Sequence, residues 1–149
     1  AAKQVVTYCI RNDIGTLIVG YNTTFQRSSD LGRQMNQVFV GIPFGILRRK
    51  LKYLCEMNGI RYVEQEESYT SMASFWDLDE MPVYGEAGLV PPVFSGRRIC
   101  RGLYQDRSGR RINADVNGAL NIMRKCNIVS LRALYARGDV DTPVRIRIA

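Results

Sequence analysis

Strand, helix and strand follow one another between Ile14 and Glu67, and that order points to an α/β sheet. Ile14 to Tyr21, IGTLIVGY, is a short apolar β-branched run, the pattern of a strand buried on both faces. From Gln37 to Asn58, Phe39, Ile46, Leu47, Leu51, Leu54 and Cys55 recur at three and four, as in one long helix or a helix pair, with Pro43 suited to a helix start. Ile60 to Glu67, IRYVEQEE, then reads as a second strand, and the segment between the two is the right length for a crossover.

The remaining elements follow in chain order. Val5, Val6, Cys9 and Ile10 stand at helical spacing within Lys3 to Arg11, and Asn12-Asp13 is a stop signal. Asn22 to Asn36 is polar and loop-like and carries Arg27 and Arg33; Asn58-Gly59 is a C-cap. After a polar turn at Ser68 to Ser74, residues Trp76 to Pro92 are rich in loop formers and suggest an inserted segment. Arg97 to Arg111 reads as a basic hairpin turning at Asp106 to Gly109. Ile112 to Ile122, INADVNGALNI, opens a helix: Asn113 can cap it, and Asp115 in the first turn is favoured by the helix dipole. Asn113, Asn117 and Asn121 form a polar stripe at i, i+4 and i+8, while Val116, Leu120 and Met123 supply an apolar face. Gly118 leaves one side bare, so that a sheet edge or a nucleic-acid backbone can come close. In the tail, Leu131 to Tyr135 has helical character and Val144 to Ile148 alternates like an exposed strand.

Composition narrows the function classes. A chain of 149 residues that is 46% hydrophobic suffices for one domain with a core. Its 21 basic and 14 acidic residues give a net charge of +7, which favours polyanionic partners. With no membrane-length apolar run and no signal-peptide pattern, a soluble, cytoplasmic protein without a membrane partner is expected. The absence of histidine removes Ser-His and Cys-His mechanisms and leaves carboxylates with a divalent metal as the route to hydrolysis. Cys9, Cys55, Cys100 and Cys126 are far apart and form no C-x-x-C pair, as in a chain of reduced thiols.

Asn36 to Ile60, ESYTS at Glu67 to Ser71, and NADVNGALNI at Asn113 to Ile122, together with IGTLIVGYN, resemble in order the OrfB/TnpB family of bacterial insertion sequences, whose relatives include type V CRISPR effectors. The resemblance implies an RNase H-like, RuvC-type sheet with flanking helices, here partial, in a Mg²⁺-dependent DNA endonuclease guided by RNA and linked to transposition. On that reading residues 1–71 and 113–126 form the RuvC-like core, 72–112 are an inserted basic hairpin in place of a zinc ribbon, and 127–149 are a tail. Family members hold Mg²⁺ with an Asp on the first strand, a Glu near the fourth and an Asp at the start of the last helix, and the last of these maps onto Asp115.

Three departures qualify the resemblance. The strands bearing the first Asp are not in this sequence, so the chain is expected to be a C-terminal fragment, inactive alone. Where the family has its strand Glu, Gly20 stands, and among the nearby Glu64, Glu66 and Glu67 the end position of Glu67 makes it the candidate second metal ligand, with Glu66 beside it. The C-x-x-C pairs of the zinc ribbon are absent, leaving Cys100 alone, so no zinc is expected and the insertion is held by packing, with Phe75, Trp76, Phe94, Leu103 and Tyr104 as its small core. Arg97, Arg98, Arg101, Arg107, Arg110 and Arg111 make the candidate phosphate-binding surface, to which Tyr104 can add a stacking face. Thr70 and Ser71 either touch nucleic acid or only form the turn, and Asn117 lies where backbone phosphate would approach. DNA and guide RNA are the expected partners. A nucleic-acid-binding protein whose nuclease has decayed is the alternative, and exposed sheet edges allow a strand-exchanged dimer.

Overall fold

The computed structural model describes residues 1–22, 44–83, 92–138 and 140. Residues 23–43 and the VRIRI segment, with the loop, Phe39 and Pro43 expectations placed on them, lie outside the described residues. The architecture is mixed α/β with two small sheets, and the chain divides into two units, Ala1–Glu64 and Gln65–Ala149.

In the first unit, helix α1 (Ala2–Arg11) leads to strand β1 (Thr16–Tyr21), and helix α2 (Phe44–Met57) leads to strand β2 (Arg61–Glu66), whose last residues pass into the second unit. Both helices end in the same way. Asn12 and Asn58 each donate their side-chain amide to the carbonyl four residues back, Tyr8 at 2.8 Å and Leu54 at 2.7 Å. The next residue turns left-handed, Asp13 at φ 52° and Gly59 at φ 67°. The N–H of Ile14 then returns to Cys9 O, and that of Ile60 to Cys55 O, each at 2.9 Å. These paired C-x-x-N-x-I stops satisfy the last helical carbonyls and launch a strand at a fixed angle. Arg61 N–H donates to Gly15 O at 2.9 Å, so β1 and β2 begin side by side.

The core of this unit joins Ala2, Val6 and Cys9 of α1 to Leu51 and Cys55 of α2 and to Ile60, with Leu17, Val19 and Tyr62 of the strands packed against them. Strand β1 differs from the expectation of burial on both faces: every residue in it is only partly covered, and Leu17 and Val19, on one face, are the two that reach the core.

In the second unit the basic segment is a three-stranded antiparallel meander, β3 (Arg97–Cys100), β4 (Leu103–Gln105) and β5 (Arg111–Asn113), rather than a single hairpin. The turn at Asp106 to Gly109 joins β4 to β5, and the extra strand forms because the chain also reverses at Arg101-Gly102, where Gly102 takes φ 79°. Helix α3 (Ala114–Cys126) follows β5 directly, capped by Asn113, whose Oδ1 accepts from Asp115 N–H at 2.9 Å and Val116 N–H at 3.1 Å. Tyr104, Ile112 and Ala114 form a small core with Val116 and Leu120. The short helix α4 (Arg132–Arg137) carries Tyr135, which stacks on Phe75 with ring centroids 4.8 Å apart.

The matched helix stops generate a prediction. Replacing Asp13 by Gly relieves a left-handed non-glycine residue and should stabilise the chain by roughly 0.5–1 kcal/mol, while Gly59→Ala should cost about 1 kcal/mol or more. Chemical denaturation of the two variants measures both signs; a common sign would refute the equivalence of the two stops.

Candidate nucleic-acid interface

The segment from Ser68 to Asp79 has no ladder partners, and its own turns pair only part of its backbone, so other backbone groups need side chains. The asparagine stripe of α3 supplies them. Asn117 Nδ2 donates to Ala73 O at 2.8 Å, and its Oδ1 accepts from Phe75 N–H at 3.1 Å. Asn121 Nδ2 donates to Thr70 O at 2.9 Å and Ala73 O at 2.7 Å. Both asparagines are fully buried. Lys125 continues the same four-residue step and reaches Glu66 Oε2 at 2.5 Å and Ser68 O at 3.2 Å. The stripe therefore grips this protein's own turn, and Asn117 is not available to a phosphate. Gly118 is approached by the Ser71 backbone, with the Cα 4.0 Å from where a Cβ would sit, so a methyl fits there.

The acids of the segment are engaged within the unit. Asp79 accepts from Ser74 N–H at 2.7 Å, Ser95 N–H at 2.9 Å and the Ser95 hydroxyl at 2.6 Å. Burial pushes its pKa up, but those hydrogen bonds and nearby Arg124 outweigh burial and hold it below the usual aspartate value. Asp77 accepts from Arg107 N–H at 2.9 Å. Asp106 accepts from Ser108 Oγ at 2.8 Å and Arg110 N–H at 2.7 Å, closing the β4–β5 turn.

This sorts the six arginines. Arg107 donates to Ser95 Oγ at 3.1 Å, and Arg110 lies 4.6 Å over the Trp76 ring and 3.8 Å from the Asp106 carboxylate, so both brace the fold. Arg97, Arg98, Arg101 and Arg111 are exposed and have no partner among the described residues. Arg97, Gln105 and Arg111 are cross-strand neighbours and share one face of the meander, where strand spacing puts the two arginine backbones roughly 10 Å apart. The neighbouring row, Arg98, Tyr104 and Ile112, turns Tyr104 and Ile112 inward. Tyr104 is not the exposed stacking face expected of it: it is 1% accessible, its hydroxyl donates to Met72 O at 2.7 Å, and burial, with Asp79, Asp77 and Asp106 nearby, pushes its pKa up to about 12. Thr70 is likewise buried, its hydroxyl donating to Glu67 O at 2.9 Å, whereas Ser71 is exposed.

The candidate metal ligands stand in different surroundings. Asp115 is exposed in the first turn of α3, two residues before Asn117 and so about 200° round the helix from the face that holds the turn. Glu66 is tied to Lys125 in the last turn and also accepts from Ser68 N–H; these partners overcome burial and lower its pKa. Glu67 is raised by burial and then by the Glu66 charge. Glu64 pairs with Arg48 at 3.3 Å. Among the described residues no three Asp, Glu or Cys side chains converge to hold a metal ion. Asp79, Lys125 and Tyr135 went unremarked in the sequence; for Lys125 the signal was there, as the fourth member of the 113, 117, 121 progression.

A family model described as Cas12f1-like, TNB domain, matches residues 44–122, which is 79 of the 149 residues. The chain belongs to the Cas12f1-like TNB domain family. The cryo-EM structure of a Cas12f1–sgRNA–target DNA complex is similar to it at 20% identity and a TM-score of 0.51, over 81% of this chain and 31% of that one. The chain thus spans about a third of that relative's length, and the likeness is one of fold. No curated protein matches the sequence. The family match covers the meander, the asparagine-held turn and most of α3; the Tyr135 stack on Phe75 comes from outside it.

Two predictions rest on these contacts. Asn117→Ala leaves the buried Phe75 N–H unpaired and takes from Ala73 O one of its two carboxamide donors, and should cost about 1–3 kcal/mol in denaturant melts, whereas Gly118→Ala should be neutral or stabilising by up to about 1 kcal/mol. Because Asp79 and Glu66 have folded pKa values below their ordinary 3.8 and 4.5, the stability they add is present above those values and is lost as pH falls through the lowered ones. An acid titration of unfolding should therefore be shallower in Asp79→Asn than in wild type, and an unchanged slope would contradict the assignment.

Proposed function

We propose that this chain is the nucleic-acid-holding, C-terminal part of an RNA-guided DNA endonuclease of the TnpB type, associated with transposition. Its RNase H-like, RuvC-type part is assigned to residues 1–71 and 113–126 and the inserted basic segment to 72–112. The observation that carries the reading is the division of charge in the meander. Asp77, Asp79 and Asp106 are bound to backbone and serine groups, so Arg97, Arg98, Arg101 and Arg111, unopposed among the described residues, present guanidinium groups to phosphate. The family membership and the fold shared with Cas12f1 support the parent class.

Magnesium is assigned no step in this chain. Among the described residues no three Asp, Glu or Cys side chains converge to hold a metal ion, and of the three candidate acids Glu66 is held by Lys125, Glu67 has its pKa raised by burial and the Glu66 charge, and Asp115 is exposed with no partner among the described residues. In the parent, Asp115 is the one of the three we assign as an oxygen ligand for a hard cation, with the other ligands drawn from elsewhere. The occupied Glu66 and the Gly20 position favour a second reading, a binding protein whose nuclease has decayed.

Arg97→Gln/Arg111→Gln should weaken binding to single-stranded DNA or RNA and lower the salt slope by about 1.4, at about 0.7 per lost phosphate contact, while leaving the melting temperature unchanged. Arg107→Gln and Arg110→Gln should do the reverse and lower stability. In the intact parent with its guide, Asp115→Ala should abolish DNA cleavage; retained cleavage removes Asp115 from the chemistry, and a wild-type parent that binds but never cuts establishes the decayed reading.

A further inference from the structure

The net charge does not sit where the basic meander is. Residues 1–64 carry nine basic and four acidic side chains, a net of +5, and residues 65–149 carry twelve and ten, a net of only +2. A large part of the excess lies on one helix, α2, which places four cations within Arg48 to Lys52. Of these, Arg48 pairs with Glu64 at 3.3 Å and lies 5.5 Å over the Tyr21 ring. Arg49, Lys50 and Lys52 are exposed and have no hydrogen-bond or ion-pair partner among the described residues.

These cations surround an uncovered aromatic ring. Leu51 and Cys55 turn into the core of the unit, and the opposite side of α2 presents Ile46, Tyr53 and Met57, which are 46%, 60% and 66% accessible. At 100° per residue, Tyr53 lies between Arg49 and Lys50, both one turn before it, while Lys52 stands beyond Arg49 on the same side and Glu56 is the one acid of the helix. A lone hydrophobic residue on a helix surface needs no explanation. A tyrosine in line with two further apolar side chains and bordered by three unpaired cations is a different surface, with a stacking platform set beside phosphate-binding groups.

We propose that this face of α2 is a second nucleic-acid-binding surface and that it takes a single-stranded polynucleotide, with a base on Tyr53 and the adjoining phosphates on Arg49, Lys50 and Lys52. Single-stranded binding without base readout requires only these two elements, aromatic stacking and a cationic track. A convex helix face with no Asn or Gln among its exposed residues lacks the groups that read base edges in a duplex groove. The inference shares its partner class with the function proposed above but rests on different residues, so each can fail without the other.

The test uses the full chain and fluorescence anisotropy with oligo(dT), oligo(U) and a mixed-sequence duplex of equal length. Arg49→Gln/Lys50→Gln/Lys52→Gln should weaken binding of both single strands and lower the salt slope by about 2, at about 0.7 per phosphate contact. Tyr53→Ala should weaken the same strands about tenfold with little change in salt slope, and Tyr53→Phe should restore binding. These losses should add to those of Arg97→Gln/Arg111→Gln. Unchanged single-strand affinity in the α2 variants overturns the proposal, whether or not the meander variants bind. So does an effect confined to the duplex. Two further results would assign the face to another occupant and likewise overturn it: a change in sedimentation alone, which marks a second copy of the chain, or lost binding to anionic vesicles with polynucleotide binding intact.

Discussion

The second unit depends on two buried carboxamides. A turn of a dozen residues between β2 and the meander belongs to no sheet, and burying its peptide groups without partners would cost about 1–3 kcal/mol for each unpaired group. Asn117 and Asn121 meet that demand from a single helix face, Asn117 with both its donor and its acceptor and Asn121 with its Nδ2 donors, because side chains four residues apart stand one above the other. Once the turn is fixed, Met72 O is in place for the Tyr104 hydroxyl and Phe75 for the Tyr135 ring. The meander thus rests on the turn, and the turn rests on α3. Gly96 tightens this arrangement, because any Cβ there would come within 2.6 Å of Gln105 O and the Tyr104 ring.

Electrostatics follow from the same scaffold. Carboxylates next to irregular backbone become acceptors for N–H groups, as Asp79 and Asp106 do, and are thereby withdrawn from the surface. Arginines near them divide according to whether an acid, an aromatic ring or a serine hydroxyl lies within reach. Arg107 and Arg110, at the turn, have such partners; Arg97 and Arg111, on the outward row, have none among the described residues. A cluster that reads as six equivalent charges in the sequence is therefore two structural side chains and four available ones.

What the sequence made legible were the features decided within a few residues. The Asn113 cap, the stops at Asn12 and Asn58, the turn at Asp106 to Gly109 and the helical phase of Leu47, Leu51, Leu54 and Cys55 all follow from local geometry, and all are present. Burial of polar side chains was not legible, because periodicity reports that Asn113, Asn117 and Asn121 share a face and not what that face meets. Polarity suggested solvent or ligand, and the neighbours are instead the peptide groups of Thr70, Ala73 and Phe75, in a turn that belongs to no sheet. The same limit hid the inward turn of Tyr104, whose row in the sheet depends on the pairing register, and the placement of Tyr135, which reaches Phe75 across sixty residues.

This distinction bears on how the acids of the chain divide. A helix that holds a buried turn with one face cannot offer that face to a ligand, and Asn117, Asn121 and Lys125 claim it along almost the whole of α3. Asp115 is set about 200° from Asn117 by its position two residues earlier, so it stays exposed at the positive end of the helix dipole, where a carboxylate is stabilised without a partner. Glu66, by contrast, is drawn into the structural face by Lys125, and its neighbour Glu67 is left with the burial and the repulsion. The helix thus separates an acid that remains at the surface from a pair that secures the turn, and the four-residue step from Asn113 to Lys125 is the sequence feature that enforces the separation.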